Sequence, residues 1–501
     1  MKPILIIPLM GKRRKNLFFD KKFLFHNKTD YLLNHIYGNF NFCQKIIIVC
    51  KKTDRIFFKF NNLPKLSFIY LKSSTNQINS ITKVEKKIDK NRPIFILNPD
   101  SYFNFIDTSF SLLKRLKKGN MFLFGIKNYK TNLDNSNKDT FITNKSKIVS
   151  INIKKGETSK NNCFVSAGLY YFKSFKIFNQ LCYKFKKENN IKSSSFQLAH
   201  IFRYALIKLY KVNYALVQNF VDFGDDNKLK EYFFWSSFFN KNFYKFDNIK
   251  NKDILNIIPS AGEGSRHKKL GYNKPKPLIP ISNNTMFESS IERLPNRKEN
   301  LFIFKKKTFK KFKIKKIFKK NKNLKNYFLI NKRTKGMAET IYLAKEMIPD
   351  NKPVIVSSCD ISFIINYRKF YNLLKKDPDG IIFTWRDYPF ADESPNSHAY
   401  VKTKKNIIKK ISEKKVISNN PNKDFAVTGI FYFKSSNLLL DCIKYMIENN
   451  ITINKEYYVA TSMNKLLKEK LKVYNFEVDQ FISWSLPEHL QKYNFWESVF
   501  K

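Results

Sequence analysis

Short apolar runs rich in Ile, Val and Phe recur along the chain. Lys45–Cys50, Ile94–Leu97, Ile254–Pro259, Val354–Ser357 and Gly380–Trp385 have the length and composition of strands buried on both faces. Between them lie helical patterns. Ala338, Ile341, Tyr342 and Lys345 follow 3.6-residue spacing within Ala338–Met347, and Phe370–Lys375 and Leu438–Glu448 read the same way. Strand–helix alternation of this kind predicts an α/β fold: a mostly parallel sheet with helices on both faces. Ligands then gather beyond the carboxyl ends of the strands.

The pattern occurs twice. Ile6-Ile7-Pro8-Leu9-Met10-Gly11 pairs with Ile257-Ile258-Pro259-Ser260-Ala261-Gly262, and Pro93–Ile96 leading to Asp100 pairs with Pro353–Val356 leading to Asp360. Ser166–Ser174 pairs with Val427–Ser435, and Phe220–Tyr232 with Phe481–Tyr493, at an offset that stays between about 251 and 261 residues. A period that long means two whole domains rather than a solenoid. The expected division is a first domain over 1–240, a linker over 241–253 rich in Asn, Lys and Phe, and a second domain over 254–501.

Composition changes this picture little. The 501 residues exceed one ordinary core, and 43% hydrophobic with 16% aromatic residues, 50 of them Phe, is ample packing material. The formal net charge of +54, from 94 Lys and Arg against 40 Asp and Glu, invites a nucleic-acid reading. The basic residues are nevertheless spread along a chain equally rich in Asn, Ile and Phe, as a biased genome composition produces, and no ordered nucleic-acid motif accompanies them. No nucleic-acid partner is therefore expected, although the charge favours polyanionic ligands such as nucleotides. The densest cluster, Lys305–Lys325, alternates Lys with Phe and Ile and reads as a solvated amphipathic face, with contact to an acidic membrane surface as the alternative. The six cysteines, at 43, 50, 163, 182, 359 and 442, have no CxxC spacing and read as reduced thiols of a cytoplasmic protein. No run approaches the length of a membrane span. The apolar start, Met1–Met10, is followed rather than preceded by basic residues and reads as a first strand, not a leader.

Candidate chemistry concentrates in the second copy. Strand Ile254–Pro259 runs into Ser260-Ala261-Gly262-Glu263-Gly264-Ser265-Arg266, where glycines allow backbone N–H groups close to a phosphate and Arg266 adds a multiply donating cation. Lys274-Pro275-Lys276-Pro277-Leu278 then places a second cation on a segment stiffened by prolines. No Gly-x-x-x-x-Gly-Lys-Ser/Thr occurs, so the turn is not a P-loop.

These stretches resemble the signature of the sugar-phosphate nucleotidyltransferase family, a Gly-x-Gly-Ser/Thr-Arg loop followed by Pro-Lys-x-Leu, and the resemblance extends over 254–496. Lys335-Gly336-Met337-Ala338 is similar to its nucleotide-contacting Gly-Thr-Ala segment, and Asp360 to its metal-binding Asp. Glu413-Lys414 is similar to its sugar-phosphate-holding Glu-Lys pair. Thr428-Gly429, Glu456-Tyr457-Tyr458 and Trp484–Leu490 resemble its later motifs. The pattern looks closest to capsule and surface-polysaccharide members.

The resemblance implies two tandem Rossmann-like (GT-A-like) nucleotidyltransferase domains. It also implies transfer of a nucleotide from an NTP to a sugar-1-phosphate with Mg²⁺. Arg266, Lys276 and Asp360 would be catalytic, with Asp360 on the metal. Ala261, Gly262, Gly264, Ser265, Gly336 and Ala338 would bind nucleotide, and Glu413, Lys414, Gly429 and Glu456 the sugar phosphate. The chemistry suits these residue types, since a sugar phosphate is already an anionic nucleophile and the obstacle is charge repulsion, met by positioning and neutralisation. Ser483 departs from the pattern, standing where family members often carry a second acidic metal ligand, and Met337 replaces the usual Thr.

The first copy departs further. Arg13 stands in the place of Gly264, Lys154-Lys155 in that of Glu413-Lys414, and Phe196-Gln197 near Glu456, although Asp100 and Asp222 remain. It reads as a degenerate domain, scaffolding or regulatory. A non-catalytic nucleotide- or sugar-phosphate-binding regulator of the same fold is the alternative for the whole chain. The choice of sugar and base is expected to lie around Trp385–Tyr400. Homo-oligomerisation is left open by the sequence.

Overall fold

The computed structural model describes residues 1–10, 31–53, 64–74, 76–126, 139–145, 147–154, 162–189, 196–224, 226–240, 253–296, 298–387 and 395–500. The chain divides into two units, Met1–Tyr232 and Phe233–Lys501. Residues 233–240 belong with the second unit. Trp235 is fully buried and meets Tyr493 edge to face, and the Arg293 guanidinium lies 4.1 Å from the ring centre of Phe238. Most of the segment expected as a linker, 241–252, falls outside the described residues.

In the first unit the strands are β1 (Ile4–Leu9), β2 (Lys45–Lys51), β3 (Leu66–Leu71), β4 (Ile94–Leu97), β5 (Ser101–Phe105), β6 (Met121–Ile126), β7 (Thr140–Asn144), β8 (Lys147–Asn152), β9 (Cys163–Phe172) and β10 (Val212–Asp222). They form one sheet in the order β3-β2-β1-β4-β9-β6-β10-β8-β7, with β5 paired to β10. The second unit has β11 (Leu255–Pro259), β12 (Pro280–Ile281), β13 (Asn284–Thr285), β14 (Asn300–Lys305), β15 (Asn326–Ile330), β16 (Val354–Ser357), β17 (Ile361–Ile364) and β18 (Gly380–Trp385). It continues with β19 (Tyr400–Lys404), β20 (Ile407–Ser412), β21 (Phe425–Phe433), β22 (Val473–Glu477) and β23 (Gln480–Ser483). Its main sheet runs β15-β14-β11-β16-β21-β18-β22-β20-β19, the same order element for element, while β17 pairs with β23 as β5 does with the end of β10.

Each sheet is mixed. In the second unit β15, β14, β11 and β16 are parallel, β21 lies antiparallel between β16 and β18, and β18 and β22 are again parallel. The four-residue β16 is buried along its whole length, which requires a helical layer on each face. One layer packs helix Met337–Tyr342 and helix Ser436–Glu448 on Leu301, Ile303, Val354 and Val356. On the other, Phe302 and Phe304 of β14 meet Phe287 and Phe318, and Phe383 meets Phe370. Helix Ser436–Glu448 starts where the Ser435 hydroxyl accepts from the Leu438 N–H, and helix Tyr367–Leu374 starts at Asn366 in the same manner.

The helix expected over Ala338–Met347 is shorter. It spans Met337–Tyr342, then tightens through Ala344 N–H to Ile341 C=O and Met347 N–H to Ala344 C=O into a 3₁₀ turn at Lys345–Met347. In the lysine cluster, Phe309 and Ile314 turn into the core while Lys306, Lys310, Lys315 and Lys319 stay exposed. Among the described residues no helix is long and apolar enough to cross a membrane, and none of the six cysteines is in a disulfide.

Candidate active site

The site forms where central strands end. β11 stops at Pro259, and the Ser260 N–H still bonds to Ile303 C=O at 2.8 Å, holding the start of the turn against β14. Ala261 is nearly buried, whereas a side chain added at Gly262 would meet nothing within 4 Å, so this backbone faces open space. Gly264 has φ 66° and ψ 47° and precedes a short helix, Ser265–Lys269, that carries the exposed Arg266. Its missing Cβ is filled by the backbone of Lys276, held between two prolines at the 3₁₀ turn Lys276–Leu278.

From that anchor the Lys276 ammonium reaches Asp360 and donates to its Oδ2, while the Ser358 hydroxyl donates to Oδ1. Burial pushes the Asp360 carboxyl up, but the charge and hydrogen bond of Lys276, with Ser358, hold it below the usual carboxylate value. Two backbone contacts fix this strand end. Trp484 N–H donates to Asp360 C=O at 2.8 Å, and Ser358 N–H donates to Gly429 C=O at 3.1 Å. Gly429, with φ 92°, would put a Cβ 3.3 Å from the Cβ of Ser358, so its bareness leaves room for the serine that holds Asp360. Ser483 faces Ile361 in register, next to Asp360, and its hydroxyl is 2.7 Å from that of Ser485.

A second group gathers around Tyr457. Its N–H donates to Lys335 C=O at 2.7 Å, and Ala338 N–H donates to Tyr457 C=O at 3.2 Å, so the Gly336 and Glu456 segments form one stitched unit. The Tyr458 hydroxyl donates to Glu456, and its ring lies 5.4 Å beneath the Lys414 ammonium, which also donates to Ser397 C=O. Glu413 is pushed up to about 7 by burial; Lys414 opposes the rise and Glu456 adds to it. Lys414 is lowered by burial and by Arg266, against the pull of Glu413, Glu456 and Asp360. These mutual influences put Arg266 of the glycine turn, Asp360 and the Glu413–Lys414 pair within electrostatic reach of one another.

Residues 388–394, inside the segment expected to choose sugar and base, fall outside the described residues. Sequence reasoning passed over His267. It is 1% exposed beneath the turn, lowered by burial and by Lys276, touched by the Trp484 backbone, and its Nε2 has no hydrogen-bond partner among the described residues. Its place next to Arg266 was the available signal.

In the first unit, Phe223 N–H bonds to Asp100 C=O and Asn98 N–H to Gly168 C=O, each at 2.8 Å, repeating the frame around Asp360. Asp222 pairs with Ser101 as Ser483 does with Ile361. The pairing of Lys154-Lys155 with Glu413-Lys414 shifts by one residue. Lys154, with φ 52°, follows β8 as Lys414, with φ 56°, follows β20, so Ile153 stands in the place of Glu413. Gln197 shares a capping box with His200 at the start of helix Leu198–Ile207. Gly11 and Arg13 fall outside the described residues.

A central sheet of this order, with a glycine turn, a lysine and a strand-end aspartate at its carboxyl edge, makes the second unit an α/β domain with its charged groups gathered where the strands end. Residues 255–486, all within the second unit, match the family described as nucleotidyl transferase. Among curated relatives, the bifunctional protein GlmU of Methanocaldococcus jannaschii is 32% identical over 114 residues, covering 23% of this chain and 26% of that protein. GlmU of Buchnera aphidicola is 26% identical over 190 residues, 37% of this chain and 39% of that protein. The chain thus spans about a quarter to two-fifths of the curated relatives it matches. Among solved structures, a nucleoside-diphosphate-sugar pyrophosphorylase from Vibrio cholerae is 19% identical with a TM-score of 0.40, covering 48% of this chain and 99% of that one. A UDP-glucose pyrophosphorylase bound to UDP-glucose is 17% identical with a TM-score of 0.39, covering 49% and 99%.

Proposed function

We infer that the second unit transfers a nucleoside monophosphate from an NTP to a sugar-1-phosphate, releasing pyrophosphate. The product is an NDP-sugar, made in the cytoplasm and used for surface polysaccharide. The observation that carries this reading is the electrostatic meeting of Arg266, Lys276, Asp360, Glu413 and Lys414, which come from four separate segments. Cations toward the turn suit a triphosphate, and a Glu–Lys pair beside them suits a sugar carrying a phosphate.

In the reaction an oxygen of the sugar phosphate forms a bond to the α-phosphorus, and the bond from that phosphorus to the bridging oxygen of the β-phosphate breaks. Pyrophosphate leaves with the electron pair. No proton has to be removed from the nucleophile, so no general base is required. Arg266 and Lys276 offset the charge that builds on the α-phosphate and the leaving group. Lys414 holds the sugar phosphate, and Glu413 and Glu456 take hydrogen bonds from sugar hydroxyls. Backbone N–H groups of Ala261, Gly262, Gly264 and Ser265 line the triphosphate, and the Gly336–Ala338 segment borders the nucleoside.

The donor set fits Mg²⁺. Asp360 is a buried carboxylate with the Ser358 hydroxyl on it and Ser483 nearby, all hard oxygen donors. Among the described residues no cluster of three or more acidic, His or Cys side chains is present, so protein carboxylates beyond Asp360 would not complete the shell, and phosphates and water would have to. Bound there, Mg²⁺ would neutralise charge on the triphosphate.

Pyrophosphate release, measured for each NTP against a panel of sugar-1-phosphates, tests the reading. Arg266→Ala is expected to lower the rate by about 100-fold or more, and Arg13→Ala to leave it unchanged. The reverse result would move the active site to the first unit. Nucleotide binding without pyrophosphate release from any pair would favour the regulatory alternative.

A further inference from the structure

Both carboxylate oxygens of Asp360 are already engaged, Oδ2 by the Lys276 ammonium and Oδ1 by the Ser358 hydroxyl. The carboxylate is also enclosed, its side chain only 7% exposed. Each oxygen keeps a second lone pair, but a divalent ion taking it would sit against the Lys276 ammonium, so charge repulsion favours its approach to Asp360 only once Lys276 moves. The backbone of Lys276 does not supply that movement. It lies between Pro275 and Pro277, and Gly264, in a left-handed conformation, packs on its N, Cα and Cβ. What remains free to swing is the four-carbon stem, a flexible tether carrying a point charge. Its pivot is tucked beneath the Ala261–Arg266 turn, so from one anchor the ammonium reaches either Asp360 or a phosphate lying on that turn.

We propose that Lys276 is a placeholder for the metal ion. It neutralises Asp360 until a triphosphate on the turn draws the ammonium away, and a divalent ion reaches the carboxylate only together with that triphosphate. The charges balance on both sides of the exchange. One ammonium leaves one carboxylate for a polyanion, and the metal replaces it on the carboxylate while sharing the phosphates. Lys276 thereby gates the order of binding as well as offsetting charge in the reaction. This inference rests on the transferase reading of the same site.

The test measures Mn²⁺ binding by electron paramagnetic resonance to protein stripped with EDTA, with no nucleotide present, and needs no turnover. Wild type is expected to bind weakly at this position, Lys276→Met at least tenfold more tightly, and Lys276→Met/Asp360→Asn no better than wild type. Lys276→Gln repeats the comparison should the methionine variant misfold, and wild type alone is informative, since a tight Mn²⁺ site abolished by Asp360→Asn would overturn the proposal. So would equal affinity in wild type and Lys276→Met, absence of a gained site in both Lys276 variants, or a gained site indifferent to Asp360→Asn. Failure of the transferase reading would appear separately, as no pyrophosphate release from any substrate pair.

Discussion

A Cβ built on Gly264 would stand 2.6 Å from the Cβ of Lys276 and 3.2 Å from its backbone nitrogen. The two residues are therefore one joint: the glycine turn and the lysine that faces Asp360 hold each other in place through backbone packing.

Gly264→Ala breaks that joint twice, by the clash and by forcing an alanine to φ 66°. The variant is expected to lose about 1–3 kcal/mol of stability, and about 100-fold in turnover from displacement of the glycine turn. Denaturant unfolding read beside pyrophosphate release checks both. Wild-type turnover in a folded Gly264→Ala protein would contradict the joint.

Gly336 has φ 132°, and a Cβ there would meet the Tyr457 carbonyl oxygen at 2.6 Å and its nitrogen at 2.9 Å. Both are backbone atoms in a stitched pair and cannot rotate away. Gly336→Ala should unseat the Lys335–Ala338 segment together with Glu456 and Tyr458. Both KM values are expected to rise, by about tenfold or more, with a smaller change in kcat. Steady-state kinetics varying each substrate in turn would expose a rise confined to one of them, against this coupling.

Glu413 titrates at about 7, raised from the ordinary value of 4.5 by burial and by Glu456 despite Lys414. The protonated form is the one the fold prefers, so its contribution is complete below pH 4.5 and is lost as pH rises through about 7. Between pH 5 and 8 wild type should give up about 2–3 kcal/mol that Glu413→Gln does not. Urea unfolding of both proteins across that range measures the difference. Parallel pH profiles would mean that Glu413 is not held in this environment.

Much of the frame was legible in the sequence, and for a local reason. Strands β4, β16 and β18 lie where their Ile, Val and Phe runs put them, to the residue, because a short apolar run needs only its own composition to declare itself buried. The turn after β11 was legible from two glycines before a Ser-Arg pair, since a left-handed residue such as Gly264 is a local demand. The order of the motifs followed from chain order alone.

Contacts across long stretches of chain were decided by the tertiary structure. Lys276 and Asp360 are 84 residues apart, and nothing local to either says that they touch. The engagement of both Asp360 oxygens, the service of Gly429 to Ser358 and the latch between Gly336 and Tyr457 all depend on the strand order β11-β16-β21 and on loop registers that bring distant segments together. The Lys154 pairing illustrates the physical reason. A shift of one residue moves every side chain to the opposite face of a strand, and a chain so rich in lysine offers several pairings of nearly equal appearance that only the packed sheet tells apart.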